Sequence, residues 1–272
     1  MYKKINAMFF SATDTTKKVV CTLAKEISIN ISQDNRINII DFTLPEARAK
    51  TVTFTEEDLV IFGVPVYAGR VPNVLVKYIA SVQGQGAWAI PVVVYGNRDY
   101  DDALIELKDI LEGCGFKIVA AAAFIGEHAF SNVLAKDRPD EKDLNKACEF
   151  AYHICQKLKN PGNITQVTVK GNRPYRHYYM PKNKDGQPVD IRKVKPKTNN
   201  NCTHCKLCVS LCPMGSIDAE NVSILNGICI KCGACIKKCP SQAKYFDDSD
   251  YLRHKEELEI ELTDRKEPEL FL

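Results

Sequence analysis

The stretch CTHCKLCVSLCP (residues 202–213) and its near copy CIKCGACIKKCP (residues 229–240) decide the C-terminal part of this fold. Both contain the run C-x2-C-x2-C-x3-C followed directly by proline, and together they hold eight of the twelve cysteines. Each cysteine of the second copy lies 27 residues after its counterpart in the first. The block is therefore an internal duplication whose chemistry depends on sulfur.

The spacing within each copy is typical of a thiolate site for an iron–sulfur cluster. The C-x2-C-x2-C turns aim three sulfurs at one cubane, and the cysteine before the proline reaches the other cluster. The block resembles the bacterial two-cluster ferredoxins, which implies two [4Fe-4S] clusters in a small α+β domain. The crossing gives two ligand sets: Cys202, Cys205, Cys208 and Cys239 for one cluster, and Cys229, Cys232, Cys235 and Cys212 for the other.

Zinc and disulfides are the two other common uses of clustered cysteines. Four-cysteine zinc sites also contain C-x2-C hooks, but normally as two separate pairs without a third hook or a Cys-Pro ending. A disulfide framework is expected after a secretion signal, whereas the N-terminal residues have only a short apolar run that predicts a first strand. Zinc is therefore the main alternative to iron.

Length and composition favour two domains. The chain has 272 residues, of which 45% are hydrophobic and 26% are charged, as in ordinary globular proteins. The cysteine block is too compact and too poor in apolar residues to share a core with the rest. We therefore expect an α/β domain at 1–160, a connecting segment at 161–197, a cluster domain at 198–247 and a tail at 248–272.

No apolar stretch approaches the roughly 20 residues of a membrane helix, so we expect no membrane span. Without a secretion signal, a cytoplasmic location is expected, and oxygen-sensitive clusters suggest an anaerobic one.

Charge is unevenly distributed, although the net charge is only +3. Residues 170–197 contain nine Lys and Arg against two Asp, whereas residues 247–272 contain ten acidic side chains against four basic ones. The basic segment has many prolines and no accompanying nucleic-acid fold, so we expect no nucleic-acid partner. It is either a solvated linker or a docking face for an acidic redox partner. Its tyrosines, Tyr175, Tyr178 and Tyr179, favour packing along the first domain.

The first 160 residues alternate short apolar strands with helices. Strands are predicted at 3–10, 37–42, 59–64, 87–95 and 117–124, and helices at 15–29, 71–82, 101–113 and 140–159. Strands rich in Ile and Val that are followed by helices indicate a parallel sheet covered on both faces. Such α/β sheets bind ligands at the carboxyl ends of their strands. The pattern predicts a doubly wound parallel five-stranded sheet with a ligand site at one edge.

Three loops at that edge suit a phosphate and a flat ring. Residues 11–16, Ser-Ala-Thr-Asp-Thr-Thr, open the first helix, where hydroxyls and free N–H groups form an anion cradle. Loops 64–70 and 96–100 each place an aromatic side chain beside flexible backbone, where a ring could be sandwiched.

These loops resemble those of the flavodoxins, which bind FMN through a Thr/Ser-x-Thr-Gly-x-Thr phosphate loop and two later loops. The resemblance implies that the phosphate is held by Ser11, Thr13, Thr15 and Thr16. It implies ring contacts from Pro65, Tyr67, Ala68, Gly69, Gly96, Asn97 and Tyr100, with the two tyrosines flanking the ring. The whole chain is similar to flavodoxin/ferredoxin fusion proteins of anaerobic microbes, which implies FMN beside two clusters.

Asp14 departs from this pattern, because glycine usually occupies its position. Aspartate tolerates left-handed backbone better than most residues. Its carboxylate would nevertheless repel a phosphate dianion unless it pointed outward. We therefore expect Asp14 to weaken FMN binding.

The implied cofactors point to electron transfer. Each cubane passes one electron at a time, whereas a flavin accepts one or two. We expect a shuttle between redox protein partners, with a ferredoxin-type donor or acceptor. One alternative is a reductase of a small molecule, with His128 after the fifth strand as proton donor, and another is a cluster protein without flavin. No G-x-G-x-x-G follows a strand, so direct oxidation of NAD(P)H is not expected.

Overall fold

The computed structural model describes residues 4–31, 36–159 and 164–272. The boundary predicted between residues 160 and 161 and the predicted strand start at residue 3 lie outside the described residues. The strands are β1 Lys4–Phe9, β2 Ile37–Asp41, β3 Asp58–Pro65, β4 Trp88–Tyr95, β5 Lys117–Ile118, β6 Ala121–Ile125, β7 Lys197–Thr198, β8 Lys244–Tyr245 and β9 Glu269–Phe271. The helices are α1 Thr15–Ile31, α2 Asn73–Ile79, α3 Ala103–Gly113, α4 Glu141–Leu158, α5 Leu207–Ser210, α6 Ala234–Lys237 and α7 Ser249–Glu261.

The central sheet has the order β2-β1-β3-β4-β6, and all of these strands are parallel. This is the flavodoxin-like order of doubly wound sheets, so the predicted fold class is confirmed. The fifth predicted strand, 117–124, is divided into β5 and β6, and both segments pair with β4. Strand β9 adds an antiparallel edge to β6 that the sequence pattern did not predict.

Alternation along β1 shows how the sheet is buried on both faces. Ile5, Ala7 and Phe9 belong to one buried apolar cluster, whereas Met8 and Phe10 belong to the other. Because successive side chains of a strand point to opposite faces, a continuous apolar run supplies both layers. Helices α1 and α4 pack together on the first face.

Part of the cysteine-rich segment is buried against the α/β domain, although its composition predicted that it shares no core with the rest. Cys232 and Ala234 belong to the same buried cluster as Met8 and Phe10 of the α/β domain. Close approach is possible because Gly233 and Ala234 are small: a Cβ at Gly233 would lie 2.6 Å from the carbonyl oxygen of Ala129. Cys232 and Ala234 are thus buried against the first domain, whereas Ile217, Val222 and Ala243 are buried outside that cluster.

The connecting segment packs along the first domain, as its tyrosines predicted. The hydroxyl of Tyr175 donates to Asp109 at 2.6 Å, and that of Tyr178 donates to the carbonyl oxygen of Val71 at 2.9 Å. The Arg70 guanidinium lies over both tyrosine rings, 4.7 and 5.0 Å from their centroids. These contacts fix the path of the chain between the α/β domain and the cysteine-rich segment.

The C-terminal tail returns to the carboxyl edge of the sheet. Leu262 and Asp264 follow α7, and their carbonyl oxygens accept hydrogen bonds from the side-chain amide of Asn97, both at 2.9 Å. Strand β9 then pairs with β6 and covers its free edge. In the described part of the chain, no helix combines the length and apolar character needed to cross a membrane.

Candidate functional site

The two cysteine runs fold as structural copies of each other. Residues with left-handed backbone recur at the 27-residue offset of the sequence: His204, Lys206 and Gly215 in the first copy, and Lys231, Gly233 and Gln242 in the second. The short helices α5 and α6 follow the same offset. Short strands β7 and β8 pair beside them. Equal spacing of cysteines has therefore produced equal backbone geometry.

Each copy lines one cavity and contributes its last cysteine to the other, and Cys235 lines both. One cavity is lined by Cys202, Cys205, Cys208, Cys235 and Cys239. A second cavity is lined by Cys212, Cys229, Cys232 and Cys235. Among the described residues, no three His, Cys, Asp or Glu side chains converge closely enough to hold one metal ion. The thiols instead surround two volumes, which we call the first and the second cavity.

The last cysteine of each run accepts a backbone hydrogen bond at an equivalent position. Ser216 N–H donates to Cys212 Sγ at 3.3 Å, and Ala243 N–H donates to Cys239 Sγ at the same distance. Partial burial raises the pKa of Cys239, but hydrogen bonds from the Ser241 hydroxyl and from Ala243 N–H lower it below its usual value. These donors stabilise thiolate, the form that binds metal.

The cysteines of the two cavities differ in their exposure to solvent. Cys205 of the first cavity is exposed, whereas Cys232 of the second is only 9% exposed. Burial raises the pKa of the Cys232 thiol to about 12. Burial, followed by the nearby Cys232 and Cys229 thiols, raises the pKa of Tyr67 well above its ordinary value. Tyr67 of the 64–70 loop therefore lies close to cysteines of the second cavity, whereas the first cavity includes an exposed cysteine.

Four polar contacts attach the cysteine-rich segment to the carboxyl edge of the sheet. The Lys237 ammonium pairs with Glu127 and donates to the carbonyl oxygen of Ser131 at 2.7 Å. Lys238 Nζ lies 2.7 Å from the Asp14 carboxylate. Arg48 donates to the carbonyl oxygen of Pro213 at 2.5 Å. The segment thus covers the end of the sheet where the predicted ligand loops lie.

Replacing Gly233 with alanine is expected to loosen this attachment. The added Cβ meets the Ala129 carbonyl oxygen at 2.6 Å, which costs about 1–3 kcal/mol beyond the backbone strain. Gly186→Ala is the matched control, because Gly186 has nearly the same φ, 76° against 78°, and open space around it. Anaerobic denaturant unfolding measures both variants. Equal stability losses would show that the close contact with Ala129 is unimportant.

The 11–16 loop has the features of an anion cradle. Ser11 N–H donates to Thr43 Oγ1 at 2.8 Å, and Lys17 N–H donates to Ser11 Oγ at 3.0 Å, so the loop is tightly held. Asp14 has φ 65°, the left-handed backbone for which glycine is favoured. The Thr16 hydroxyl is buried and has no hydrogen-bond partner among the described residues. A phosphate would find an unused donor here, at the N-terminus of a 17-residue helix.

The structure brings only some of the predicted ring contacts together. Tyr67 is half-buried beside the second cavity, in a tight turn that includes Ala68 and Gly69 with left-handed backbone. Tyr100 does not flank an open cleft: it is 4% exposed, its ring packs on Tyr95 at 5.5 Å, and its hydroxyl donates to Glu269 at 2.9 Å.

Gly96 and Asn97 also lie at the carboxyl edge of the sheet, where they contact other parts of the chain. Asn97 has φ 65°, and its side chain binds the C-terminal tail. Gly96 lies against the His128 ring, since a Cβ there would be 2.4 Å from His128 Cδ2.

His128 is partly buried behind this loop. Its Nδ1 accepts a hydrogen bond from Phe130 N–H at 3.1 Å, so a neutral ring carries its proton on Nε2. Burial, followed by the charges of His254, Lys237 and Arg98, lowers the pKa of His128 to about 4. Near pH 7 the ring is therefore neutral, and an imidazolium proton donor is disfavoured. The catalytic role of His128 stays a prediction.

Sequence reasoning missed two features of this edge. Lys237 and Lys238 read as ordinary charges between cysteines, and nothing in their spacing indicates Glu127 or Asp14 as partners. The carbonyl oxygens of the tail that bind Asn97 are backbone groups, which leave no residue-type signal. Both features depend on contacts between residues more than 100 positions apart.

Comparison with known proteins agrees with the cysteine chemistry. A family described as "4Fe-4S dicluster domain" matches residues 145–254. An uncharacterized protein of Methanocaldococcus jannaschii is 38% identical over 65 residues, which cover 22% of this chain and 26% of that protein. The chain therefore matches only a minor part of the length of that curated relative.

Several solved structures align with the α/β part of the chain. A flavodoxin from the domain Archaea has 14% identity and a TM-score of 0.40, covering 57% of this chain and 99% of its own. The Streptococcus pneumonia TIGR4 flavodoxin has 16% identity and a TM-score of 0.39, with 58% and 99% covered. Rubredoxin oxygen:oxidoreductase from the anaerobe Desulfovibrio gigas has 16% identity and a TM-score of 0.40, with 59% and 37% covered.

The strand order of the sheet is flavodoxin-like, and residues 145–254 match the dicluster family. The chain therefore combines an α/β part of flavodoxin-like fold with a segment that is similar to 4Fe-4S dicluster domains.

Proposed function

We propose that this protein is an electron-transfer iron–sulfur flavoprotein that carries two [4Fe-4S] clusters and FMN. The observation that carries the proposal is the pair of cysteine-lined cavities with opposite surroundings. The first opens to solvent at Cys205, and the second lies against Tyr67 at the edge of the α/β domain. Such an arrangement can pass single electrons between an external partner and a cofactor at that edge.

The donor set of each cavity fits a cubane. Fe–S clusters are held by four thiolates, and three cysteines of one run together with the fourth of the other line each cavity. We assign Cys202, Cys205, Cys208 and Cys239 to the first cluster, and Cys212, Cys229, Cys232 and Cys235 to the second. Hydrogen bonds to Cys212 and Cys239 and the unequal exposure would tune the two potentials.

The first cluster is the proposed contact point for a redox protein of the ferredoxin type. Cys205 is exposed, and the neighbouring Leu207 is 38% exposed. Lys206, also exposed, gives this surface a positive charge. A small apolar patch beside a charged rim suits a transient redox encounter. An anoxic cytoplasm fits clusters that oxygen damages.

FMN fits the edge at its phosphate end. Thr13, Thr15 and the unpartnered Thr16 hydroxyl, with Ser11 bracing the loop, would hold the phosphate at the start of α1. Tyr67 and the turn at 65–69 would contact the ring, together with the backbone at 96–97, whereas Tyr100 instead binds the tail. When bound, FMN supplies exchange between one-electron and two-electron transfer.

Anaerobic reconstitution of the full chain tests the proposal. We expect about eight iron, eight sulfide and one FMN per chain, with the clusters reduced in one-electron steps. Iron, sulfide and flavin analysis, followed by a redox titration monitored by absorbance and EPR, measures this. A folded protein that takes up no iron contradicts the cluster assignment, and one that takes up iron but no FMN contradicts the flavin assignment alone.

A further inference from the structure

The phosphate loop contains a carboxylate that is paired by a lysine from the other domain. Asp14 stands where the loop backbone is left-handed, at φ 65°, and its carboxylate is 2.7 Å from Lys238 Nζ. Lys238 directly precedes Cys239 and lines the first cavity. One ammonium group therefore lies between the phosphate loop and a cysteine-lined cavity.

Contacts of neighbouring residues at α6 hold Lys238 in this position. Its neighbour Lys237 is anchored on Glu127 and on the Ser131 carbonyl oxygen, and Gly233 fits against Ala129. The side chain of Lys238 is 27% exposed, whereas that of Asp14 is 60% exposed. The lysine is thus the more buried member of the pair, and its position depends on docking of the cluster segment.

The charge of Asp14 matters because the same loop presents the donors for an anion. The Thr16 hydroxyl is buried without a partner two residues away, at the N-terminus of α1. A free carboxylate beside a phosphate dianion raises the free energy of binding, and an ammonium group on the carboxylate offsets that repulsion. The departure from glycine at this position is therefore compensated from outside the domain.

We propose that Lys238 completes the phosphate site of the α/β domain by neutralising Asp14, so that FMN binds tightly only when the cluster segment is docked. This inference rests on the proposed function, since FMN is the phosphate ligand. Linkage makes the coupling reciprocal: bound FMN stabilises docking of the cluster segment to the same extent. Lys238 is a positioning residue here, and its role is exerted through Asp14.

The test is an FMN titration of the anaerobically reconstituted full chain, followed by flavin fluorescence. The variants are Lys238→Gln, Asp14→Asn and the double variant, and asparagine is chosen because it tolerates left-handed backbone. Lys206→Gln is the control, because it removes one exposed positive charge from the first copy of the cysteine run, residues 202–213. Riboflavin, which has the ring but no phosphate, is titrated in parallel.

We expect Lys238→Gln to weaken FMN binding about tenfold, because the Asp14 charge is then no longer offset beside a phosphate dianion. Riboflavin binding should not change, and the double variant should return to within about threefold of the wild-type FMN affinity. A lysine that merely anchored the interface would give no such rescue, because Asp14→Asn also removes the anchor. An unaltered FMN affinity in Lys238→Gln, or failure of the rescue, overturns the inference. If the wild-type chain binds clusters but no FMN, the proposed flavin role fails and the inference with it.

Discussion

Replacing Cys239 with alanine is expected to remove the solvent-facing cluster and to leave the inner one. Cys239 belongs to the second run but lines the first cavity with Cys202, Cys205 and Cys208. Iron should fall from about eight to about four per chain, because a cubane that loses one of four thiolates is poorly held. Cys212→Ala should remove the inner cluster instead. Iron analysis and EPR of the reduced protein measure both.

The two variants can be told apart by the accessibility of the surviving cluster. A soluble paramagnetic complex should broaden the EPR signal strongly in Cys212→Ala, whose remaining cluster faces solvent, and weakly in Cys239→Ala. Cys148→Ala is the control, since Cys148 lies on α4, outside both cavities. The reverse pattern, with strong broadening in Cys239→Ala and weak broadening in Cys212→Ala, would rule out the crossed ligand sets, and equal broadening would contradict the unequal exposure of the two clusters. Zinc in place of iron in the wild-type protein would rule out the clusters themselves.

Replacing Asp143 with alanine is expected to destabilise the α/β domain strongly. Asp143 is fully buried and pairs with Arg138, which is 6% exposed and donates through Nε at 2.8 Å. Removal of one partner leaves a buried, uncompensated charge, which costs about 3–5 kcal/mol. Asp143 also closes the capping box at the start of α4 with Asp140. The thermal midpoint should fall by about 10 °C.

The Asp143 effect also reaches the tail. Arg138 donates to the carbonyl oxygen of Lys266 at 2.7 Å, so loss of its partner should loosen the segment that binds Asn97. Thermal unfolding of the anaerobic holoprotein by far-UV circular dichroism measures stability, and limited proteolysis measures release of the tail. Glu220→Ala is the control, since its ion pair with Lys206 is exposed and 3.9 Å long. Similar midpoints for both variants would contradict the proposed role of the buried pair.

Most of the α/β fold follows from local pattern. The apolar runs at β1, β3 and β4 and the helices after β1 and β4 lie within a few residues of their predicted bounds. Local periodicity was sufficient there, because each strand is covered on both faces and each helix has an apolar stripe. The backbone turns of the duplicated cysteine run were equally predictable, since the spacing of the cysteines alone sets their geometry.

Long-range contacts account for what the sequence did not predict. Strand β9 has no alternating pattern, and it forms because β6 offers a free edge to the returning tail. Composition suggested a separate core for the cluster domain, but Ala234 and Cys232 are buried against the α/β domain. Tyr100 looked like a ring contact, yet Glu269, 169 positions away, binds its hydroxyl. Such contacts become visible only once the chain is folded.

The two copies of the cysteine run differ in sequence at positions where their surroundings differ. Lys206 and Leu207 of the outward half correspond to Gly233 and Ala234 of the inward half, and both halves use the same left-handed backbone. Lys206 and Leu207 project into water, whereas the small pair lies beneath a carbonyl oxygen of the neighbouring domain. Two adjacent positions thus suffice to make the duplicated halves non-interchangeable. The duplicated segment thus has one end that attaches to the α/β domain and another end that is exposed for electron exchange with a partner.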